Sequence, residues 1–276
     1  MRSMVKGRCG AHPACPSASS VLFAGAMPIR DFASTRLFLS APLAEGGRVD
    51  LDPRQTNYLV NVLRLGAGDE ILVFNGKDGE WRAALVSIGR RHWQLEASQR
   101  MREQPPQPDL QLLFAPLKQA RHDYMVEKAV EMGVGRLTPV LTRHGQVSRL
   151  NLDRVEANAI EAAEQCGILT IPAIDTPVEL LALLDGWAEA EFVRRIIYCD
   201  EADEGANPLT VLSALPSSPV AVLIGPEGGF AEDERTRLRG LPFVTAIPLG
   251  PRILRADTAA VAALALIQAV MGDWRK

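Results

Sequence analysis

The sequence predicts an α/β protein with two domains, a small β-rich barrel followed by a larger domain built on a mostly parallel sheet. The chain has 276 residues, which exceeds one average domain. Short strand-like segments separated by turn signals fill the first part, up to Gln99. Beyond a proline-rich segment, strands and helices alternate, which is typical of a parallel sheet with helices on both faces.

Composition and charge exclude several classes of protein. Hydrophobic residues make up 47% and charged residues 23%, as in ordinary globular proteins. The longest apolar run, residues 259–270, is too short to span a bilayer, so no membrane contact is expected. The four cysteines form no metal-binding spacing, and we expect reduced thiols, no metal and a cytoplasmic location. Residues 1–103 carry a net charge of +4 and the remainder −7, which favours a polyanion-binding surface in the first part.

The domain boundaries follow from these shifts in composition. Residues 1–27 are interpreted as a disordered extension or a mis-assigned start, with Met27 as the initiator; a signal peptide is the weaker alternative because the apolar run is short. Residues 28–102 form the predicted barrel and residues 103–109 a proline-rich linker. Residues 110–276 form the α/β domain.

The barrel is predicted from five strand patterns and one helix. Strands are expected at residues 36–39 and 48–51, and Pro53 opens a short helix to residue 63. Residues 70–74 and 80–87 form a hairpin, because Asn75-Gly76 and Asp78-Gly79 supply the positive φ angles that a tight turn needs. A further strand is expected at residues 92–97.

The α/β domain is predicted from a change in hydrophobic period. Unalternating apolar runs indicate strands covered on both faces, and amphipathic runs indicate helices. Strands are expected at residues 110–115, 137–141, 195–199, 220–225 and 244–249, and helices at residues 119–132, 153–166, 177–188, 232–239 and 258–271. The last helix is apolar on nearly every face, so we expect it to be buried all round, within the layers or against another chain.

Two strand ends carry unusual loops, and ligands bind beyond such ends in open parallel sheets. The first loop has three glycines, Gly225, Gly228 and Gly229, with Glu227 between them. No Gly-Lys-Ser/Thr follows, and a carboxylate would repel phosphate, so a neutral or cationic ligand fits better. A plain turn without a ligand is the alternative.

The second loop places Arg252 and Arg255 where a strand end meets a helix start. Asp257 or Thr258 is expected to cap that helix. Because the helix dipole disfavours cations at its N-terminus, the arginines are expected to serve an external anion. An ion pair with Glu227 or Asp257 is the alternative.

These segments resemble a known family. Leu223-Ile224-Gly225-Pro226-Glu227-Gly228-Gly229 and Leu249-Gly250-Pro251-Arg252-Ile253-Leu254-Arg255-Ala256-Asp257-Thr258-Ala259 are similar to motifs of the small-subunit (16S) ribosomal RNA uracil-N3 methyltransferases, of the SPOUT superfamily. Residues 127–134, 161–167 and 61–65 also resemble that family, over about residues 35–273. Ile168 stands where the family usually has Arg, and Ala256-Asp257 replaces the commoner Thr-Glu.

The resemblance implies a PUA-like barrel, a SPOUT domain with a trefoil knot, and S-adenosyl-L-methionine as cofactor. It implies cofactor contacts from the two glycine loops, with a third loop near Cys199-Asp200. The expected cofactor-binding residues are Leu223, Ile224, Gly225, Pro226, Gly228, Gly229, Leu249, Gly250, Ile253 and Leu254. Arg255 is the expected electrostatic helper, and Glu227 is expected to orient the loop or handle a proton.

The expected partners are 16S rRNA or the small ribosomal subunit, and a second copy of the chain in a homodimer. RNA contacts are expected from basic residues in the barrel and near the catalytic strand ends, namely Arg36, Arg64, Lys118, Arg121, His122, Lys128, Arg143 and Arg149. His144 is more plausible as a hydrogen-bonded loop residue than as a base. The competing functions are another SPOUT reaction, such as ribose 2′-O methylation of transfer RNA, and a non-enzymatic RNA-binding assembly factor.

Overall fold

The computed structural model describes residues 34–89, 92–147, 149–191, 193–200 and 207–275. The interpretation of residues 1–27 therefore lies outside the described residues. Two sheets organise the rest, one on each side of the proline-rich segment. Within the described parts of the chain, no helix combines the length and apolarity needed to cross a membrane.

The first sheet contains five strands in the order β1-β3-β4-β5-β2. Their bounds are Arg36–Phe38 for β1, Arg48–Asp50 for β2, Glu70–Phe74 for β3, Glu80–Gly89 for β4 and His92–Arg102 for β5. β1 pairs with β3 in parallel, and the other pairs are antiparallel. Alternate side chains from the strands, including Leu37, Leu85 and Leu95, form one small apolar core. The predicted hairpin is the β3–β4 pair.

A short helix covers this core. Asp52 accepts hydrogen bonds from the N–H groups of Arg54 and Gln55 and so starts helix α1, Pro53–Thr56. The chain continues as a π-helical turn over Asn57–Val62, which buries Leu59 completely. The predicted helix over residues 53–63 is confirmed.

The second sheet is parallel throughout, as predicted, in the order β12-β10-β11-β6-β7-β8. The bounds are Leu110–Phe114 for β6, Arg136–Leu141 for β7, Ala173–Ile174 for β8, Arg195–Cys199 for β10, Val220–Ile224 for β11 and Val244–Ile247 for β12. A two-residue strand β9, Val178–Glu179, pairs with β7 off this path. The trefoil knot stays a prediction, because strand order alone does not define how the loops thread.

Helices cover both faces of this sheet. They are α2 (Gln119–Glu131), α3 (Leu152–Cys166), α4 (Leu180–Ala190), α5 (Pro208–Ala214), α6 (Glu232–Arg239) and α7 (Ala256–Val270), followed by a 3₁₀ turn over Asp273–Arg275. Leu112 faces the core shared with α2, α3 and α7, whereas its neighbour Leu113 faces the core shared with α4 and α6. This alternation explains why the strands read as continuous apolar runs.

Several predicted boundaries differ from the structure by a few residues, the largest shift being at the end of β5, which reaches Arg102 rather than residue 97, and the short strands β8 and β9 were not predicted. Helix α4 begins at Leu180 rather than residue 177, because Val178 and Glu179 first pair with β7. Helix α5 was not predicted, although Asn207 caps it by accepting the N–H of Leu209, and Pro208 occupies its first turn. The Asn207 cap and Pro208 are ordinary signals for the start of a helix, but they are easy to miss when the helix is short.

Candidate active site

A cavity of about 300 Å³ lies beyond the carboxyl ends of β10, β11 and β12. Because β10 lies between β11 and β12, the loops that follow the two outer strands meet above the end of the central one. The cavity is lined by Arg121, Tyr198, Cys199, Asp200, Ile224, Gly225, Pro226, Glu227, Gly229, Phe230, Arg235, Leu249, Gly250, Arg252, Ile253, Leu254, Arg255, Ala256 and Ala259. Eight of the ten residues expected to bind cofactor are among them.

The loop after β11 folds into a turn whose shape depends on its glycines. The N–H of Gly229 donates to the carbonyl of Pro226 at 2.9 Å, and Gly229 adopts φ +69°. A Cβ on Gly225 would lie 2.6 Å from the ring of Phe230, so the ring requires glycine there. Phe230 in turn packs edge-on against Tyr198, with ring centroids 5.3 Å apart. The glycine at this position thus serves the aromatic wall of the cavity.

Leu223 and Gly228 are the two expected residues that do not line the cavity. Leu223 precedes Ile224 on the same strand, so its side chain points to the opposite face and joins the core around Leu238. Gly228 turns its Cα outward, where a Cβ would lie 3.2 Å from the Cβ of His144. Both residues therefore lie in the layer behind the cavity wall and support it without lining the cavity.

The loop after β12 carries the second part of the wall. Gly250 adopts φ +94°, which only glycine takes up readily. Ile253 is 86% exposed although it borders the cavity. An exposed isoleucine at the rim of an apolar cavity suits contact with a further molecule.

The expected cap of the last helix is wrong. Helix α7 begins at Ala256 with Arg255 as its N-cap residue and without a side-chain cap. Asp257 lies inside the first turn, where its carboxylate accepts the N–H of Thr258 at 3.0 Å. That position still brings a negative charge to the positive end of the helix.

Asp200 anchors the end of β10. Its side chain is 1% exposed and pairs with Arg235 at 3.2 Å and Arg239 at 2.9 Å, both on α6. Asp200 and Arg235 border the cavity, and sequence reasoning missed the role of Arg235 together with Tyr198 and Phe230. A carboxylate directly after a buried strand was the available signal for this anchor.

The thiol of Cys199 and the phenol of Tyr198, which precede Asp200 on β10, are neutral. Burial raises the pKa of the Cys199 thiol to about 12, so it is not a thiolate at neutral pH. Burial, and then the charge of Asp200, raise the pKa of the Tyr198 phenol above its ordinary value. The floor of the cavity therefore contributes shape and hydrogen bonding rather than a nucleophile.

The two candidate catalytic residues occupy the rim. Glu227 pairs with Arg121 at 3.5 Å, a distance typical of a weak and partly solvated pair. Arg255 is exposed and forms no ion pair with any residue in the described ranges. The alternative in which Glu227 or Asp257 neutralises Arg252 or Arg255 is therefore not what the described residues show.

Most basic residues expected to contact RNA are on the surface. Arg64, Lys118, Arg143 and Arg149 are exposed, and Arg121 and Lys128 are partly exposed. Arg64 has φ +60°, which is uncommon for a residue with a side chain. Arg143 pairs with Asp233 at 2.6 Å, and Lys128 with Glu131 at 2.5 Å.

Two of those expectations are wrong. Arg36 is 6% exposed, and its guanidinium donates to Glu80 at 2.9 Å, so it cannot reach a phosphate on the surface. His122 is 4% exposed and packs against Phe114. Local sequence could not reveal the burial of Arg36, because its partner Glu80 lies 44 positions further along the chain.

Comparisons with known proteins agree with this geometry. Residues 103–268 match the family model described as RNA methyltransferase domain, and residues 51–97 match the RNA methyltransferase PUA domain. Ribosomal RNA small subunit methyltransferase E of Rickettsia conorii is 30% identical over 84% of this chain and 94% of its own length. The protein of the same name from Synechocystis is 29% identical over 81% and 73%.

A solved structure agrees as well. Ribosomal RNA small subunit methyltransferase E from Neisseria gonorrhoeae, crystallised with S-adenosyl methionine, superposes with a TM-score of 0.72 at 27% identity, covering 86% of this chain and 97% of that one. The PUA and SPOUT-type α/β architecture expected from the sequence is thereby confirmed. The chain belongs to the RNA methyltransferase family that includes ribosomal RNA small subunit methyltransferase E.

Proposed function

We propose that this protein transfers a methyl group from S-adenosyl-L-methionine to N3 of a uracil in the 16S rRNA of the small ribosomal subunit. The observation that carries the proposal is the convergence of both glycine loops on one cavity, in a chain of this family. The relatives' names supply the small-subunit rRNA, and the S-adenosyl methionine in the Neisseria relative supplies the cofactor.

The residues of the cavity fit this cofactor. Ile224, Leu249 and Leu254 offer apolar walls of the kind that an adenine ring occupies. The carboxylate of Asp200 is already paired with Arg235 and Arg239, so it would not form an ion pair with the positively charged sulfonium. Backbone N–H and C=O groups of the two glycine loops would form hydrogen bonds with the polar edge of the adenine ring. When bound, S-adenosylmethionine supplies an electrophilic methyl group, and the protein mainly has to orient the acceptor.

Arg255 and Glu227 are the groups of this chain proposed to act on the base. Uracil N3 must lose its proton before its lone pair can attack, and negative charge then develops on the neighbouring carbonyl oxygens. The guanidinium of Arg255 lies at the rim without an ion-pair partner among the described residues, and it would stabilise that charge. Glu227, held only weakly by Arg121, would orient the loop or accept the proton.

The RNA would be held by the basic residues that remain accessible. Arg64 lies in the first domain, proposed to span residues 28–102, and Lys118 and Arg121 lie at the start of α2 in the second, proposed to span residues 110–276. Arg143 and Arg149 follow β7 on the same side of the sheet as the cavity. Lys128 completes the proposed set. Contacts from both domains would direct the chain to one position on the rRNA.

The cytoplasmic homodimer is likewise proposed. Within one chain, α7 buries one face, so of the two expected arrangements, burial within the layers or against another chain, the second would be needed to cover the helix fully. The other face leaves a stripe of incompletely covered residues at helical spacing: Thr258, Val261, Ala262, Ala265 and Ala269. A second copy packed there would cover the stripe. Sedimentation at micromolar concentration tests this, and a monomer would contradict it.

Mapping of modified bases tests the proposed reaction. Small-subunit rRNA from cells with and without the protein should differ at one uracil, and mass spectrometry should identify the product nucleoside as 3-methyluridine. A 2′-O-methylated nucleoside would overturn the proposed specificity. Binding of S-adenosylmethionine, measured by calorimetry, separates an enzyme from an assembly factor, because a non-enzymatic scaffold would not bind it.

A further inference from the structure

The turn at residues 226–229 is held from outside the cavity by a histidine. His144, in the segment that follows β7, places its Nδ1 3.1 Å from the carbonyl oxygen of Gly228. Because that oxygen can only accept, Nδ1 carries the proton and donates. Behind the bond, the Cα of Gly228 packs against the Cβ of His144 so closely that a side chain at residue 228 would require the histidine to move.

A buried carboxylate fixes the segment that carries this histidine. Glu234, on α6, is 2% exposed, and its two oxygens accept two backbone N–H groups. One belongs to Arg143, at 3.0 Å, and the other to Ala231, at 2.8 Å. Glu234 therefore joins the residue before His144 to the end of the glycine loop, and charge-assisted bonds to backbone N–H groups are among the stronger hydrogen bonds.

The turn itself has little to keep its shape. Its own backbone contributes the bond from Gly229 to Pro226, and glycine at two of its four positions leaves the chain many alternative conformations. Pro226, Glu227 and Gly229 line the cavity, so the turn itself forms the cavity wall at this point. Gly228 is the residue through which the turn contacts His144, on the side away from the cavity.

We propose that His144 and Glu234 are positioning residues that hold the turn at residues 226–229 in the shape that binds cofactor. The inference rests on the proposed function, since it assumes that this cavity takes S-adenosylmethionine. Neither residue borders the cavity, so their effect is to reduce the conformational freedom that the turn would otherwise lose on binding. His144 thus acts through Gly228, and Glu234 acts through Arg143 and Ala231.

The test compares affinity for S-adenosylhomocysteine, measured by calorimetry, with thermal stability and RNA affinity. For His144→Ala we expect a Kd about fivefold higher, as for loss of one hydrogen bond. His144→Asn should restore most of the affinity, because its side-chain amide can donate from nearly the same position as Nδ1. Glu234→Gln, which keeps one acceptor oxygen, should also weaken binding. Thermal stability and RNA affinity of the two His144 variants should stay close to those of wild type, because His144 is exposed and lies outside the proposed set of RNA contacts.

Asp233→Asn is the matched control. Asp233 neighbours Glu234 but is exposed, and its ion pair within the described residues is with the side chain of Arg143, so this change should leave the Kd within about twofold. Equal Kd values for wild type and His144→Ala would overturn the inference, as would equal weakening in His144→Ala and His144→Asn. If the wild-type protein itself fails to bind, the proposed function fails instead. His144 is on an exposed segment, so its variants remain informative even if Glu234→Gln does not fold.

Discussion

The carboxylate of Glu164 accepts a hydrogen bond from the backbone N–H of Phe38 at 2.7 Å, across 126 positions of sequence. Glu164 lies in the last turn of α3 in the catalytic domain, and Phe38 ends β1 in the first sheet. Three residues further on, the carbonyl of Gly167 accepts a bond from Arg102 at 2.9 Å. The family motif at residues 161–167 therefore builds the joint between the two domains, which no local pattern suggested.

Glu164→Ala should loosen this joint. It leaves the N–H of Phe38 without its acceptor in a partly buried interface, which lowers the free energy of unfolding by about 1–3 kcal/mol. Urea denaturation measures the change. Glu161→Ala, an exposed neighbour one turn earlier, is the control and should stay within about 0.5 kcal/mol. Equal effects of the two variants would show that the bond to Phe38 contributes nothing.

Glu80→Gln should destabilise the protein strongly. Glu80 is 3% exposed and lies between Arg36 at 2.9 Å and Arg102 at 2.7 Å. The substitution removes the negative charge that Arg36 and Arg102 share inside the protein, so we expect a loss of about 3–5 kcal/mol in the free energy of unfolding at pH 7. Glu70→Gln removes an exposed partner of Arg82 at 3.7 Å and should change stability little.

The same carboxyl should make stability depend on acid pH. Burial alone would raise the pKa of Glu80, but hydrogen bonds and charges from Arg102 and Arg36 outweigh it and hold the pKa below its ordinary 4.5. A pKa that is lower in the folded state adds stability above the unfolded value, and that stability is lost as the pH falls below 4.5. Denaturation of wild type between pH 6 and pH 3 should show this slope, and Glu80→Gln should show a shallower one, because the lowered pKa values of Asp78 and Asp123 still contribute.

His122→Leu should flatten a second, milder pH dependence. Burial lowers the pKa of His122 below its ordinary 6.5, Asp123 opposes this and Arg154 adds to it. Neither ring nitrogen has a hydrogen-bond partner among the described residues. The folded state therefore favours the neutral ring, so wild-type stability should fall as the pH drops through 6.5. His92→Gln, at an exposed position, is the control, and an unchanged slope in His122→Leu would contradict this cause.

Arg255→Ala should impair the chemical step more than cofactor binding. If its guanidinium stabilises charge on the uracil oxygens, single-turnover methylation should slow by about 10²–10³-fold, with S-adenosylhomocysteine affinity changed only a few-fold. Arg237→Ala removes a surface partner of Asp185 and should leave the rate unchanged. A rate for Arg255→Ala within a few-fold of wild type would remove this residue from the mechanism.

The alternation of strands and helices followed from the sequence by itself, because apolar periodicity is a local property of each segment. The same holds for the two loops: glycines beside Glu227 and paired arginines after a strand stand out without coordinates. Even the start of helix α1 was predicted, from Pro53, since proline in the first turn acts on its own neighbours.

Tertiary structure decided which charges are available and how the loops are supported. Arg36 and Arg64 look alike in sequence, yet only the first is buried, because its partner Glu80 comes from another strand. The hydrogen bond between His144 and Gly228 joins residues 84 positions apart. Such contacts depend on the order of strands in the sheet, which arises from packing over the whole chain and leaves no periodic trace in any one segment.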